Sequence, residues 1–149
     1  MAAALLALVA LVVVAGCGGS EGVAVGATVD VYVSARLCPG AREALSRDEG
    51  RAGDVQVRVI CLRPVTAGGK IDLAGQGANA RRATQDSTAV AFVEAKGKPA
   101  EFARPIVEEA GIAFVVATSG EAAMERVLKA VADAGTSGSL RSKVSNALE

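Results

Sequence analysis

The chain contains no histidine and no tryptophan, and its aromatic residues are one tyrosine and three phenylalanines. The absence of histidine excludes serine–histidine and cysteine–histidine nucleophile pairs, imidazole metal sites and a histidine general base. Sixteen basic and sixteen acidic residues balance, and they form no basic block. The charge and stacking surfaces of a nucleic-acid-binding protein are therefore missing. We expect a protein that is not an enzyme, holds no metal or cofactor and does not bind nucleic acid.

The amino terminus is an apolar leader. Residues 2–15 are all apolar, a run shorter than the roughly 18 residues of a transmembrane helix and typical of the core of a signal peptide. The segment Val14-Ala15-Gly16-Cys17 resembles the bacterial lipobox, in which small residues precede a cysteine that is diacylated. The resemblance implies a lipoprotein signal peptide over residues 1–16 and a lipid anchor on Cys17, followed by a flexible tether over residues 17–27. A plain cleaved signal and an uncleaved anchor remain as alternatives.

Under each of these alternatives the rest of the chain lies outside the cytoplasm, either at the outer face of the cytoplasmic membrane or in the periplasm. Residues 28–149 are enough for one domain and too few for two. If Cys17 is acylated, Cys38 and Cys61 form an even pair in an oxidising compartment. Each follows or ends a predicted strand, so a disulfide between them and a pair of buried free thiols are both open.

Strands and helices are predicted to alternate along this domain. Residues 28–34 and 55–61 alternate apolar and polar positions, whereas residues 89–93 and 112–116 are apolar throughout. Helices are predicted between these strands and after the last one, over residues 41–47, 72–86, 98–111, 118–135 and 139–148. This alternation predicts an α/β fold, a three-layer open parallel sheet with helices on both faces. The order 2-1-3-4 places the half-polar second strand at an edge.

Ligands of open parallel sheets bind beyond the carboxyl ends of the strands. Here residues 34–40, 94–98 and 118–120 follow three of the predicted strands. Thr118 opens the last of these segments and has the spacing of a capping box with Glu121. The hydroxyl groups and the free backbone N–H groups of such a helix start can hold a carboxylate. Lys96 and Lys98 add positive charge, and Glu94 can accept an ammonium group. A plain helix cap and a solvated loop are the alternatives.

One further motif offers a different function. Gly75, Gly77 and Ala80 satisfy the G-x-G-x-x-A pattern of a dinucleotide-binding turn, and Glu94 follows at the spacing of the acidic residue that binds the ribose. The pattern requires a strand directly before it, over residues 70–74. The alternative interpretation is a set of small residues that lets a helix pack close to the sheet.

Three segments resemble one known family: residues 29–40, residues 78–92, and residues 104–112. The most specific is the run from Pro105 to Ile112, of the form P-I-x-x-E-A-G-I. Together they resemble the amino-terminal lobe of type I periplasmic-binding proteins, in the leucine/isoleucine/valine-binding branch that serves ABC importers. In that family an amino acid lies between two lobes, and its carboxylate is held by the loops after the third and fourth strands.

By this resemblance the ligand-binding loops are residues 94–99 and 117–120. Gly97 stands where the family often has a serine, and Gly120 where it often has a threonine. Together with the residues at the strand ends, the predicted ligand-binding set is Thr118, Ser119, Gly120, Gly97, Glu94 and Ser34.

The resemblance covers residues 28–120, whereas the family continues into a second lobe of similar size. A reduced lobe, a fragment of a longer gene and a domain for protein contact are all open. We expect a lipid-anchored solute-binding module of the branched-chain amino-acid ABC transporter type. Its partners would be a small amino acid or carboxylate, a transporter permease or a second lobe, and the membrane. The alternative is an interaction or structural lipoprotein that has lost ligand binding.

Overall fold

The computed structural model describes residues 28–135 and 139–149, and within them strands alternate with helices. The predicted signal peptide, the lipidation site Cys17 and the tether lie outside these residues. The strands are β1 (Thr28–Val33), β2 (Arg51–Ala52), β3 (Val55–Cys61), β4 (Thr66–Ala67), β5 (Lys70–Ile71), β6 (Ala89–Ala95) and β7 (Ala113–Ala117). The helices are α1 (Cys38–Arg47), α2 (Leu73–Thr84), α3 (Lys98–Glu109), α4 (Gly120–Ala134) and α5 (Leu140–Leu148).

Five strands form a mixed sheet in the order β2-β3-β1-β6-β7. The α/β class predicted from the sequence is confirmed, but the sheet is not purely parallel. Strands β3, β1, β6 and β7 run parallel to their neighbours, while β2 pairs antiparallel with the start of β3. Gly50 and Gly53 adopt positive φ angles of 74° and 58°, which allow the chain to turn back and pair Ala52 with Val55. The expected edge strand therefore has a short neighbour at its amino end.

A second, two-stranded sheet of β4 and β5 lies between β3 and α2. It consists of one antiparallel hairpin that turns at Gly68 and Gly69, both with positive φ. Four residues take part in its pairing, too few for an alternating pattern to appear in the sequence.

The side chains of β1 divide the core into two layers. Val29, Val31 and Val33 are fully buried in a cluster with residues of α1, α4 and α5. Tyr32 points to the opposite face and packs in a second cluster with α2, α3 and Phe92. Successive residues of a strand point to opposite faces, so this alternation places helices on both sides of the sheet. Among the described residues, no helix has both the length and the apolar character to cross a membrane.

A disulfide joins Cys38 to Cys61, with their Cα atoms 5.6 Å apart. Cys38 is the first residue of α1, and Cys61 is the last residue of β3. Because β3 lies beside β1 in the sheet, the carboxyl ends of both strands lie next to each other. The disulfide therefore joins the start of α1 to the end of β3. Helix α1 begins at Cys38, three residues before the predicted start, because Leu37 and Cys38 already donate their N–H groups to the Ser34 carbonyl.

Candidate functional site

A cleft of about 390 Å³ opens beyond the carboxyl ends of β1, β3 and β6. This is the edge where open parallel sheets bind ligands. The segments after the three strands form most of its wall, and the β4–β5 hairpin adds Thr66 and Ile71. Its lining residues are Ser34, Ala35, Arg36, Arg63, Pro64, Val65, Thr66, Ile71, Glu94, Ala95, Lys96, Gly97, Lys98 and Pro99. The structure thus brings together three of the predicted ligand-binding residues, Ser34, Glu94 and Gly97.

Ser34 directly follows β1 and is 8% exposed. Its backbone is fixed on both sides, because its N–H donates to the Val93 carbonyl and its carbonyl accepts from Leu37 and Cys38. Its hydroxyl group is buried and has no hydrogen-bond partner within the described residues. Buried polar groups are almost always paired, and leaving one unpaired costs about 1–3 kcal/mol. The Ser34 hydroxyl is therefore a buried donor and acceptor without a partner, on a residue that lines the cleft.

Glu94 is also buried, with 4% of its surface exposed. Its Oε1 accepts from the N–H of Ala95 at 2.8 Å, and its Oε2 accepts from Nε2 of Gln76 at 2.8 Å. The same Gln76 nitrogen donates to the Pro99 carbonyl at 3.1 Å. Within the described residues Glu94 has no salt-bridge partner. Each carboxylate oxygen keeps a free lone pair, so the group can still accept from a cationic ligand.

Gln76 and Asn79 are two site residues that the sequence analysis missed. Both lie on α2 and are buried, Gln76 completely. Asn79 donates through Nδ2 to the Arg63 carbonyl at 3.0 Å, and Gln76 fixes Glu94 as described above. The two amides therefore tie α2 to the loop after β3, to β6 and to the first turn of α3. Their spacing of three residues on one helix face is a signal that the sequence carries, since a buried helix face is normally apolar.

Four cations line the cleft: Arg36, Arg63, Lys96 and Lys98. All four residues are exposed, and none forms a salt bridge within the part of the chain that the structure describes. Glu94 is the one acidic residue among the lining residues. The sequence analysis singled out the lysines and missed the arginines. A signal was present, because Arg36, Arg63 and Lys96 each stand within three residues after a strand end.

Thr118 and Ser119 lie apart from this cleft. They line a neighbouring, more open depression of about 310 Å³ together with Lys96 and Arg126. Ser119, not Thr118, is the N-cap of α4, because the Ser119 hydroxyl accepts from the Ala122 N–H at 3.4 Å. The capping box predicted from Thr118 to Glu121 is therefore wrong by one residue. Lys96 lines both depressions and connects the two groups of predicted residues.

Gly120 does not line either depression. It is buried, and a Cβ atom at this position would overlap the carbonyl oxygen of Leu37 and lie 3.0 Å from the Ala41 nitrogen. The absence of a Cβ atom at Gly120 lets α4 approach the start of α1. That the helix start at Gly120 binds a carboxylate stays a prediction. Gly97 does line the cleft, and its φ of 142° is one that other residues rarely adopt.

The dinucleotide-binding motif lacks its required strand. Residues 73–84 form α2, so Gly75 and Gly77 lie within a helix and not in a strand-to-helix turn. The residues before them, Lys70 and Ile71, pair in the separate hairpin and are not part of the main sheet. A Cβ at Gly77 would meet the Phe102 ring at 3.5 Å. The motif therefore lies inside a helix that packs against α3.

A second polar cluster lies toward the opposite ends of the strands. Arg58 donates to both carboxylate oxygens of Asp30 at 2.7 and 2.8 Å. Tyr32 donates to Asp86 at 2.8 Å, and the Thr88 hydroxyl lies within hydrogen-bond distance of Asp30 and Asp86. Every side chain in this cluster has a partner, in contrast to the Ser34 hydroxyl at the cleft.

The contacts in this cluster shift two pKa values. Burial, together with the hydrogen bond to Asp86, raises the pKa of Tyr32 to about 12. Burial by itself raises the pKa of Asp86, but the hydrogen bonds from Thr88 and Tyr32 outweigh it and hold the pKa below its ordinary value. Asp86 is therefore a carboxylate at neutral pH, which suits its role as an acceptor. Among the described residues, no three metal-ligating side chains lie close enough to hold an ion.

Comparison of the chain with protein-family models, curated proteins and solved structures finds no match.

Proposed function

We propose that the chain is an extracytoplasmic, lipid-anchored binding module for a small amino acid or carboxylate, of the type I periplasmic-binding kind. One observation carries the proposal: Ser34 is one of the residues that line the cleft, and its buried hydroxyl has no hydrogen-bond partner among the described residues. A ligand oxygen or nitrogen at this point supplies the missing partner. The resemblance of residues 28–120 to the amino-terminal lobe of that family supports the same location, since its ligands bind beyond the strand ends.

The chemistry of the cleft fits a zwitterion. Glu94 is a buried carboxylate fixed by Gln76 and Ala95, and its free lone pairs accept an ammonium group. Lys96 and Lys98 provide positive charge for a carboxylate. A ligand that carries both groups compensates the charges on both sides of the cleft. The partners in this proposal are an amino acid or carboxylate, with a permease or a second lobe covering the open side.

The experiment compares melting temperatures of the purified full-length protein with a panel of amino acids and small carboxylates. At a hundredfold excess over its dissociation constant a ligand stabilises the native state by about 2.7 kcal/mol, which raises the melting temperature by several degrees. Ser34→Ala should weaken binding at least about tenfold, because a hydrogen bond to a charged group is lost. The ligand-free variant should melt no lower than the parent, since an unpaired hydroxyl has been removed.

Ser46→Ala is the matched control, because Ser46 is an exposed serine of α1 whose hydroxyl bonds to the Glu43 carbonyl away from the cleft. This variant should keep the full ligand response. A Ser34→Ala protein that binds as well as the parent would contradict the proposed site. A flat panel from a cooperatively melting protein would contradict ligand binding altogether.

The second candidate function is an interaction lipoprotein without a small ligand. One observation favours it: within the described residues the cleft is walled by a single lobe, and its four cations are exposed. A protein partner that covers this face would provide partners for the Ser34 hydroxyl and the four cations. The flat panel described above is the result that would favour this function.

A further inference from the structure

We infer that the ligand of the cleft is an acidic zwitterion, with one ammonium group and at least two anionic groups, and not a branched-chain amino acid. This inference rests on the proposed function and names the chemical class of its ligand. It is carried by the balance of unpaired charges around the cleft.

The cleft and the neighbouring depression are lined by five cations in total: Arg36, Arg63, Lys96, Lys98 and Arg126. Within the described residues none of the five has a salt-bridge partner. Glu94 is the one acidic residue lining either depression. A neutral zwitterion such as leucine satisfies Glu94 and one cation, and it leaves the other positive charges uncompensated. The positive electrostatic potential of these five cations attracts a ligand with net negative charge as it approaches, and it stabilises the bound ligand.

The arrangement also separates two anion-binding positions. Ser34 and Lys98 line the cleft, whereas Thr118, Ser119 and Arg126 line the adjoining depression. Lys96 belongs to both. A ligand whose ammonium group meets Glu94 can place one carboxylate in the cleft and extend a second one past Lys96. The hydroxyl of Thr118 and the guanidinium of Arg126 are donors for that second carboxylate.

The test is calorimetric titration of the full-length protein with L-glutamate, L-leucine and glutarate. Glutamate and leucine differ in the second anionic group, and glutarate lacks the ammonium group. One exposed ion pair changes a binding constant by up to about fivefold, so the second carboxylate should make glutamate bind tighter than leucine by up to about fivefold. The advantage should shrink at about 1 M salt, where charges are screened within roughly 3 Å. Glutarate should bind more weakly than glutamate.

A pair of variants tests the role of the connecting lysine. Lys96→Gln and Lys129→Gln each remove one positive charge from an exposed lysine, but Lys129 lies on α4 and pairs with Asp133. Lys96→Gln should reduce glutamate binding by a larger factor than leucine binding, because glutamate has a second carboxylate near this lysine, whereas Lys129→Gln should alter neither.

The outcomes separate the inference from the proposed function. If leucine binds as tightly as glutamate, the acidic ligand class is overturned, although the cleft is still a binding site. If glutarate equals glutamate, the ammonium position at Glu94 is overturned. If none of the three ligands binds and the wider amino-acid and carboxylate panel is also flat, both the inference and the proposed function fall.

Discussion

Reduction of the Cys38–Cys61 disulfide should lower the stability of the folded domain by a predictable amount. The bonded residues are 23 positions apart in the chain. In the chain-entropy model, a covalent loop of this length stabilises the folded state by about 3 kcal/mol, because it removes conformations from the unfolded chain. The bond joins α1 to β3, which are also held by packing and by the sheet. We therefore expect the reduced protein to fold and to melt at a lower temperature.

The expected change in melting temperature follows from the size of the domain. Unfolding entropy is about 2.1 cal/mol/K per residue, which gives roughly 0.25 kcal/mol/K for a domain of about 120 residues. Loss of about 3 kcal/mol then lowers the melting temperature by roughly 12 °C. The bond also ties the segments after β1 and β3, which both line the cleft. Reduction should accordingly weaken ligand binding as well.

The assay is thermal unfolding followed by circular dichroism, with and without a reductant. The control is the double variant Cys38→Ala and Cys61→Ala, whose melting temperature should not respond to reductant. A thiol titration of the denatured, non-reduced Cys17→Ser protein should find no free thiol. Equal melting temperatures of the oxidised and reduced parent would refute the stabilising role of the bond, and two reactive thiols would refute the bond itself.

Three further predictions address the packing, the polar cluster and the leader. Gly120→Ala should destabilise the fold by about 3 kcal/mol, because the new Cβ would overlap the backbone at the start of α1. Gly77→Ala has room for a methyl group and should be neutral or stabilise the fold by up to about 1 kcal/mol. Urea unfolding measures both changes, and equal effects would contradict the packing argument. Tyr32 is the single tyrosine, so its ultraviolet absorbance should titrate near pH 12. The stability that its raised pKa contributes is fully present below about pH 10 and should be lost as the pH rises from there through about 12. A titration midpoint near pH 10 would contradict its burial. Cys17→Ser should release the protein from the membrane fraction, and retention in the pellet would refute the lipid anchor.

The long strands were predictable because burial imposes a period on their residues. Val29, Val31 and Val33 must reach one core and Tyr32 the other, and this alternation is visible in the sequence. Strands β2, β4 and β5 have two residues each, so they have no period to read. Their positions depend on glycines with positive φ, such as Gly50 and Gly53, which a sequence indicates only as turns.

The candidate site was predictable where it depends on strand order and not where it depends on helix faces. Ser34 and Glu94 line the same cleft because both stand at the carboxyl ends of two neighbouring parallel strands, β1 and β6. Gln76 escaped prediction because its partner, Glu94, is 18 positions away in the chain. The packing role of Gly120 escaped prediction because the approach of two backbones leaves no trace in residue type other than the glycine itself.

The polar groups at the two ends of the sheet differ in a way that bears on function. Asp30, Tyr32 and Asp86 satisfy one another with the help of neighbouring side chains, so their burial is compensated within the protein. At the other end the Ser34 hydroxyl has no partner among the described residues, and Glu94 has hydrogen bonds but no counter-ion there. The same sheet thus pairs its buried polar side chains at the amino ends of its strands and leaves the Ser34 hydroxyl unpaired at their carboxyl ends. Under the proposed function, the Ser34 hydroxyl and the Glu94 carboxylate are the groups that a ligand would pair.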